Sequence, residues 1–271
     1  MFPELFHIGT FVVHTYGLVL MVAFLVALGR GYSVAKRQQD PQINPDSILD
    51  VGIWMIGLGV VGARLLFVLL EWPTYRANPA SILKVWEGGL SFHGGLIGGF
   101  VALIGYCLLK RISILKVADI FAPSVMIAYA IGRVGCFLNG CCYGAPTAMP
   151  WGIRFHDENI LTPPSHPTQL YATALSLVFF AVLVWMEKRR AYLGQISCWY
   201  ILFASIERFV MEIWRAGTTS DVVAHVAGVE LTDVQLLCLG MATVALVGMV
   251  ILRRRPKHDL TTPRPLEAAV R

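Results

Sequence analysis

Charge is scarce in this chain. Asp, Glu, Lys and Arg make up 14% of its 271 residues and hydrophobic residues 56%, whereas a soluble domain carries about a quarter charged residues. That balance excludes a water-soluble globular domain, and the mean hydropathy of +0.64 agrees. No Lys or Arg precedes Arg30, and no small-residue cleavage site follows the first apolar run. A removable signal peptide is therefore not expected, and the chain is expected to be retained whole. Internal repeats, a P-loop and low-complexity runs are also lacking. The fold implied is an all-α integral membrane protein.

What is present is a set of apolar runs. A helix needs about 20 residues to cross a hydrocarbon core, and seven runs approach that length, at about 10–28, 49–70, 90–109, 117–138, 170–187, 196–214 and 232–252. Cytoplasmic loops hold the excess of Lys and Arg. Alternate segments beginning with the N-terminus hold only four: Arg76, Lys84, Arg154 and Arg215. The intervening segments, including the tail from Arg253 to Arg271, hold fifteen. Seven transmembrane helices are thus expected, with the N-terminus outside and the C-terminus cytoplasmic. The net charge of +5 reflects this topology and requires no nucleic-acid partner. Residues 1–252 form the expected membrane domain, with 139–169 as an outer cap containing a short helix or strand pair at 151–156. Residues 253–271 form a basic cytoplasmic tail, expected to be disordered.

This topology gathers polar residues at the outer side. His14 and Tyr16 open the first run, Arg64 lies in the outer half of the second, and His93 opens the third. Arg133 ends the fourth, His166, Gln169 and Tyr171 lead into the fifth, and Arg215 ends the sixth. A charge at bilayer depth costs about 2.5–3.5 kcal/mol on insertion scales and marks a site or a paired structural charge. For Arg133 the structural reading is a bond to a helix carbonyl or to an intramembrane acid, Glu207 or Glu212. The functional reading is a basic pocket for an anionic phospholipid headgroup, because Arg offers bidentate donors to phosphate. Polar residues at one face argue against a solute transporter, whose broken helices meet at midplane.

Two clusters sharpen this picture. GGLSFHGGLIGG, from Gly88 to Gly99, holds six glycines in twelve residues, which permits a broken or re-entrant entry and close backbone approach to a ligand or a helix. His93 is then expected to face a cavity. Of the six cysteines, Cys136, Cys141 and Cys142 cluster on the expected outer side, where a disulfide can form. Their spacing matches no standard zinc pattern, so packing or a local disulfide ranks ahead of metal. Trp54, Trp72, Trp86, Trp151 and Trp214 read as interfacial belt residues.

The motifs also carry a resemblance. SFHGG at Ser91–Gly95, GR-x-G-x-F-x-N-G at Gly132–Gly140, HPTQLY at His166–Tyr171, E-x-x-R at Glu212–Arg215 and Tyr16-Gly17 after His14 fall in order across the chain. Together they resemble the bacterial prolipoprotein diacylglyceryl transferases. The resemblance implies an inner-membrane enzyme, active site facing the outer leaflet, that moves the diacylglyceryl group of phosphatidylglycerol onto the lipobox cysteine thiol of a prolipoprotein. Glycerol 1-phosphate would be released. It implies no cofactor, and phosphatidylglycerol, prolipoproteins and membrane lipids as partners.

By motif position Arg133 would bind the donor phosphate, Arg215 would hold the headgroup or gate entry, and His93 would act as base or positioning donor. Tyr16, Arg64, Gly94, Asn139, His166, Gln169 and Tyr171 would orient substrates. The chain departs from the family pattern at Cys136, where many members have Asn, and at Cys141, where they have Glu. Ala172 replaces another family carboxylate; Asp157 and Glu158 in the outer loop are the candidate substitutes, with nothing in the sequence placing them in the pocket. A non-catalytic lipid-binding relative is the alternative these departures raise.

Overall fold

The computed structural model describes residues 4–8, 11–84, 88–157, 160–215, 222–226 and 229–254. Backbone N–H and C=O groups find no water in a bilayer and must bond within the segment, so long apolar runs become helices. Among the described residues these are α1 (Thr15–Gln38), α2 (Pro45–Leu70), α3 (Trp72–Ala77), α4 (Phe92–Leu109), α5 (Ile114–Asn139), α6 (Thr168–Glu187), α7 (Gln195–Glu212) and α8 (Asp233–Arg253). Six of the eight are long and apolar enough to span a membrane. The exception among the long ones is α7, which is as long as α4 at 18 residues but carries Glu207, Arg208 and Glu212. Exposed Leu109, Leu237 and Val244 add apolar surface that suits lipid better than water.

The helix ends follow local chemistry. The first run was expected to begin near residue 10, yet β1 (Glu4–Ile8) and β2 (Phe11–His14) form an antiparallel hairpin and α1 starts only at Thr15. The strand is FVVH, whose β-branched valines favour extended backbone. Asn44 caps α2, its side chain accepting from Asp46 N at 3.1 Å, with Pro45 at the first position, where a missing N–H costs nothing. β5 (Val222–Val226) and β6 (Val229–Thr232) form another antiparallel hairpin that leads into α8. Thr232 and Gln235 close a reciprocal capping box there, satisfying two otherwise orphaned donors.

The chain divides into two compact units. One comprises Gly31–Val117 and the other Met1–Arg30 together with Ala118–Arg271. In the first unit, α2 and α4 pack backbone to backbone. A Cβ on Gly94 would lie 2.3 Å from Gly62 O, and one on Gly98 would lie 2.1 Å from Leu58 O. The glycine run therefore serves helix packing, as small residues do where helices must meet without a hydrophobic drive between them. The broken entry expected for this segment is not found: α4 runs unbroken from Phe92, preceded by Gly88 and Gly89 at φ +90° and +73°. Tyr106 donates to Asp50 at 2.9 Å and Lys116 pairs with Asp40 at 2.6 Å.

In the second unit, Ala122, Met126, Leu183 and Ile196 form a buried cluster ringed by Phe179, Phe180, Met186, Trp199, Tyr200 and Phe203. Polar ties close the same end of the helices. Arg30 pairs with Glu187 at 2.6 Å, and buried Asp119 accepts from Gly194 N at 2.8 Å and Ser197 N at 2.9 Å. Buried carboxylates need such donors.

The connection from α5 to α6 has a core of its own. Phe155 is fully buried, stacked on Tyr143 at 4.9 Å and edge-on to Phe137 at 6.2 Å. The strand pair expected near 151–156 takes the form of a bridge from Ile153 to Ser165 and of β3 (His156–Asp157) with β4 (Ile160–Leu161). Glu158, Trp86 and the tail from residue 255 onward lie outside the described residues.

Candidate functional site

Arg133 occupies α5 one turn after Tyr129, and this spacing stacks the two side chains. Its guanidinium lies 4.7 Å from the centre of the Tyr129 ring, and Nη2 donates to the phenol oxygen at 2.6 Å. The Tyr129 hydroxyl in turn donates to the Glu207 carboxylate, with oxygens at 3.0 and 3.2 Å. Glu207 is 3% exposed, so a cation relayed through a phenol compensates a buried anion. The structural reading of Arg133 as an acid's partner thus holds at one remove, with Tyr129 between. It does not use up the guanidinium: Nε is buried and has no hydrogen-bond partner. Leaving a buried charged donor unmatched costs more than about 1–3 kcal/mol, a cost that an incoming anion would relieve.

Neither Tyr129 nor Arg208 stands among the residues expected from the sequence. On α7, Arg208 pairs with fully buried Glu212 across one helical turn. The signal for both was the same, a polar residue four positions from an opposite or complementary one within an apolar run.

The end of α5 is shaped by its last glycines. Gly140 adopts φ +81°, a left-handed conformation that costs other residues about 1–2 kcal/mol. With it, Gly140 N bonds to Phe137 O and Cys141 N to Cys136 O, both at 3.1 Å. This glycine cap sets the residue after the glycine against the one four before it, and in this chain those residues are Cys141 and Cys136. The Cys141 thiol also reaches Cys136 O at 3.7 Å. Cys142, at φ +64°, turns the chain again. The three Sγ atoms consequently lie within 4.8 Å of one another. No disulfide joins them; all three are free thiols.

The strand of backbone that follows is stitched to α6 and to the end of α7. Gln169 Nε2 donates to Cys141 O at 2.7 Å and Thr168 Oγ1 to Cys142 O at 2.9 Å. Gly144 N bonds to His166 O and Ala145 N to Trp214 O. A Cβ on Gly144 would lie 2.6 Å from Trp214 O, so the motif's final glycine is required by close approach. Gln169 is fully buried and acts through this tie. His166 Nδ1 lies 3.3 Å from Tyr171 OH, which also accepts from Trp151 Nε1 at 2.8 Å. Tyr171 packs edge-on to Trp214 at 5.4 Å. Trp151 and Trp214, expected only as belt residues, complete this aromatic cluster.

Tyr16 lies on the first turn of α1, 38% exposed. Its ring rests near Gly135, where an added Cβ would lie 3.4 Å from Tyr16 and 3.0 Å from Val19. Asn139 is the last residue of α5. The Cys142 thiol is held below the ordinary thiol range, first by hydrogen bonds from the thiols of Cys136 and Cys141 and further by the cations Arg215 and Arg133. Arg215 follows the last turn of α7, its N bonded to Glu212 O at 3.0 Å. Tyr16, Arg133, Asn139, His166, Gln169, Tyr171 and Arg215 all belong to one unit. Two recesses in that unit, of about 180 Å³ along α7 and α8 and about 540 Å³ around Tyr192 and Trp199, are lined by none of them.

Arg64, His93 and Gly94 belong to the other unit. Arg64 is 7% exposed, and its donors reach Ile82 O at 2.9 Å, Gly88 O at 2.7 Å, Gly89 O at 3.0 Å, Ser81 O at 2.6 Å and Lys84 O at 3.2 Å. Five N–H groups are thus spent on five carbonyls, with the Tyr75 ring 5.1 Å away. Headgroup binding was the expectation; the geometry makes Arg64 the clasp of the segment between α2 and α4. Gly94 is likewise occupied, by Gly62. His93 is exposed on the first turn of α4, edge-on to Phe92 at 5.8 Å.

The described residues thus define a helical protein suited to a membrane, with a buried, partly unmatched arginine near a thiol cluster. Residues 3–251 match the family model for prolipoprotein diacylglyceryl transferase. A phosphatidylglycerol–prolipoprotein diacylglyceryl transferase of Trichormus variabilis is 32% identical, covering 98% of this chain and 95% of its own. The protein of the same name from Nostoc sp. is 32% identical over 95% and 92%, and that from Staphylococcus aureus 31% over 95% and 90%. The chain belongs to the prolipoprotein diacylglyceryl transferase family.

Proposed function

We propose that this protein transfers the diacylglyceryl group of phosphatidylglycerol to the lipobox cysteine thiol of prolipoproteins. The thiol sulfur attacks the glyceryl carbon that bears the phosphate. A C–S bond forms, the C–O bond breaks, and the electron pair leaves with glycerol 1-phosphate. The observation that carries this reading is Arg133: a permanent cation held by Tyr129, with a buried Nε–H left to meet the departing phosphate oxygen. Charge develops on that oxygen only as the bond breaks, so a preorganised donor there acts on the transition state. By motif position Arg215 holds the headgroup or gates lipid entry, and His93 serves the acceptor thiol as base or as positioning donor. Tyr16, Asn139, His166 and Tyr171 orient the two substrates, and Gln169 keeps the cysteine turn in place.

The setting is part of the proposal: a multi-pass protein of the bacterial inner membrane, seven helices across, with the site facing the outer leaflet. The six helices long and apolar enough to span a membrane and the charge asymmetry of the loops support a multi-pass protein of this orientation. The test is release of glycerol phosphate from phosphatidylglycerol by purified protein with a lipobox peptide, against the same peptide with serine for cysteine. Cysteine-dependent release is expected, and an unchanged rate and pH profile in His93→Asn would leave His93 only the positioning role. Lipid binding without release by folded protein would replace the transferase with a non-catalytic relative.

A further inference from the structure

The three thiols at the end of α5 have no assigned work. Cys136 is buried and Cys141 and Cys142 are half-buried. A tetrahedral zinc–thiolate centre with bonds of about 2.3 Å sets its sulfurs about 3.8 Å apart. The three Sγ atoms lie within 4.8 Å of one another. The backbone beneath is fixed: the Gly140 cap locks Cys136 to Cys141, and Gln169 and Thr168 hold the carbonyls of Cys141 and Cys142. Among the described residues no fourth His, Cys, Asp or Glu joins the group. Structural zinc sites close with four protein ligands, whereas sites that do chemistry keep three and leave a position open.

We propose that Cys136, Cys141 and Cys142 bind zinc through their Sγ atoms, and that the open fourth position takes the acceptor cysteine of the prolipoprotein as its thiolate. The proposal rests on the transferase reading and adds a means of activating its nucleophile. A thiol bound to zinc is deprotonated outright, so the acceptor's proton passes to solvent water as its sulfur coordinates, and His93 keeps the positioning role. The sulfur lone pair then forms the C–S bond and glycerol phosphate departs with the C–O pair. The product is a neutral thioether, a poorer ligand than the thiolate, and leaves the metal, which stays divalent throughout. Four thiolates on one zinc carry net negative charge, and Arg133 and Arg215 lie within electrostatic reach of the cluster. Cysteines at 136 and 141, where many members of the family have Asn and Glu, are by this account a metal-dependent way of activating the thiol.

The test uses the tag-free, detergent-solubilised protein in a non-thiol reductant. Titration with Zn²⁺ against a chromophoric chelator should show one ion per chain, and Co²⁺ should give a thiolate charge-transfer band that is lost in Cys142→Ser and in Cys141→Ser. Lipobox peptide should shift the cobalt spectrum, and the serine peptide should not. Stripping the metal should abolish transfer, and zinc should restore it. Absence of stoichiometric binding to the unsubstituted protein, a disulfide within the cluster that persists in reductant, a cobalt spectrum indifferent to the peptide thiol, or full transfer by metal-free protein would each overturn the proposal. The last would leave the transferase reading intact. Zinc binding and a thiol-dependent cobalt shift without any glycerol phosphate release would instead sink the transferase reading and keep the site.

Discussion

At Arg133 the decisive property is geometry as much as charge. One edge of the guanidinium is held by Tyr129 and the Nε edge is buried without a partner. Lysine keeps the charge but has a single nitrogen, which cannot serve Tyr129 and a phosphate in the same arrangement. Arg133→Lys should therefore lower the turnover number by about 10²–10³-fold, the range for losing one transition-state donor, with thermal unfolding nearly unchanged. Near-normal turnover would remove Arg133 from the phosphate. Tyr129→Phe leaves Glu207 without its hydroxyl donor, and an unmatched buried acceptor costs about 1–3 kcal/mol. The midpoint of thermal unfolding should fall by several degrees; an unchanged midpoint would show that Glu207 is satisfied by another group. That Arg133 matters was legible in the sequence, since a charge in an apolar run has few bland explanations. The phenol that mediates it left only its four-residue spacing from Arg133, which does not separate a relay from packing until its neighbour across the bundle is known.

Among the elements, α2 and α4 show how far a composition signal reaches. The density of glycine from Gly88 to Gly99 announces close approach, but it does not say to what. The answer lies thirty residues upstream, in Gly59 and Gly62, and only the pairing of α2 with α4 turns a candidate ligand loop into a helix contact. Gly98→Ala places its Cβ 2.1 Å from a backbone oxygen, so the helices must separate. This substitution should lower the unfolding temperature markedly, despite the roughly 1 kcal/mol by which alanine is favoured over glycine within a helix. Gly105→Ala is the control. Nothing lies within 4 Å of its Cβ, so it should be neutral or mildly stabilising. Equal effects in thermal unfolding would refute the packing role of Gly98. The same limit applies to Arg64: its depth was readable, but the five carbonyls that absorb its donors come from a segment 17 to 25 residues further along the chain.

For the whole molecule, the sequence reads most clearly where the solvent imposes the rule. Bilayer thickness sets helix length, so the apolar runs locate the long helices to within a few residues except at α1, which the FVVH strand delays to Thr15 and which continues to Gln38, ten residues past the expected end. Orientation follows from a different force, the retention of Lys and Arg on the cytoplasmic side, and the fifteen-to-four division of these residues is large. The charged ties Arg30–Glu187 and Lys116–Asp40 involve ends of helices that this rule assigns to the cytoplasm. The cap between α5 and α6, with its buried Phe155 and exposed Ala148, is assigned to the outside. Two single cysteines decide the matter in spheroplasts treated with a membrane-impermeant maleimide, with labelling of the parent protein subtracted for its native thiols. Ala148→Cys should label in intact spheroplasts, and Arg189→Cys, on the exposed turn after α6, only after permeabilisation. The reverse pattern would invert the topology and turn Arg133 and the thiol cluster toward the cytoplasm. A secreted prolipoprotein could not then present its cysteine to them from the outer face. Both positions can be labelled in the folded protein without disturbing helix packing, so the result depends on sidedness alone.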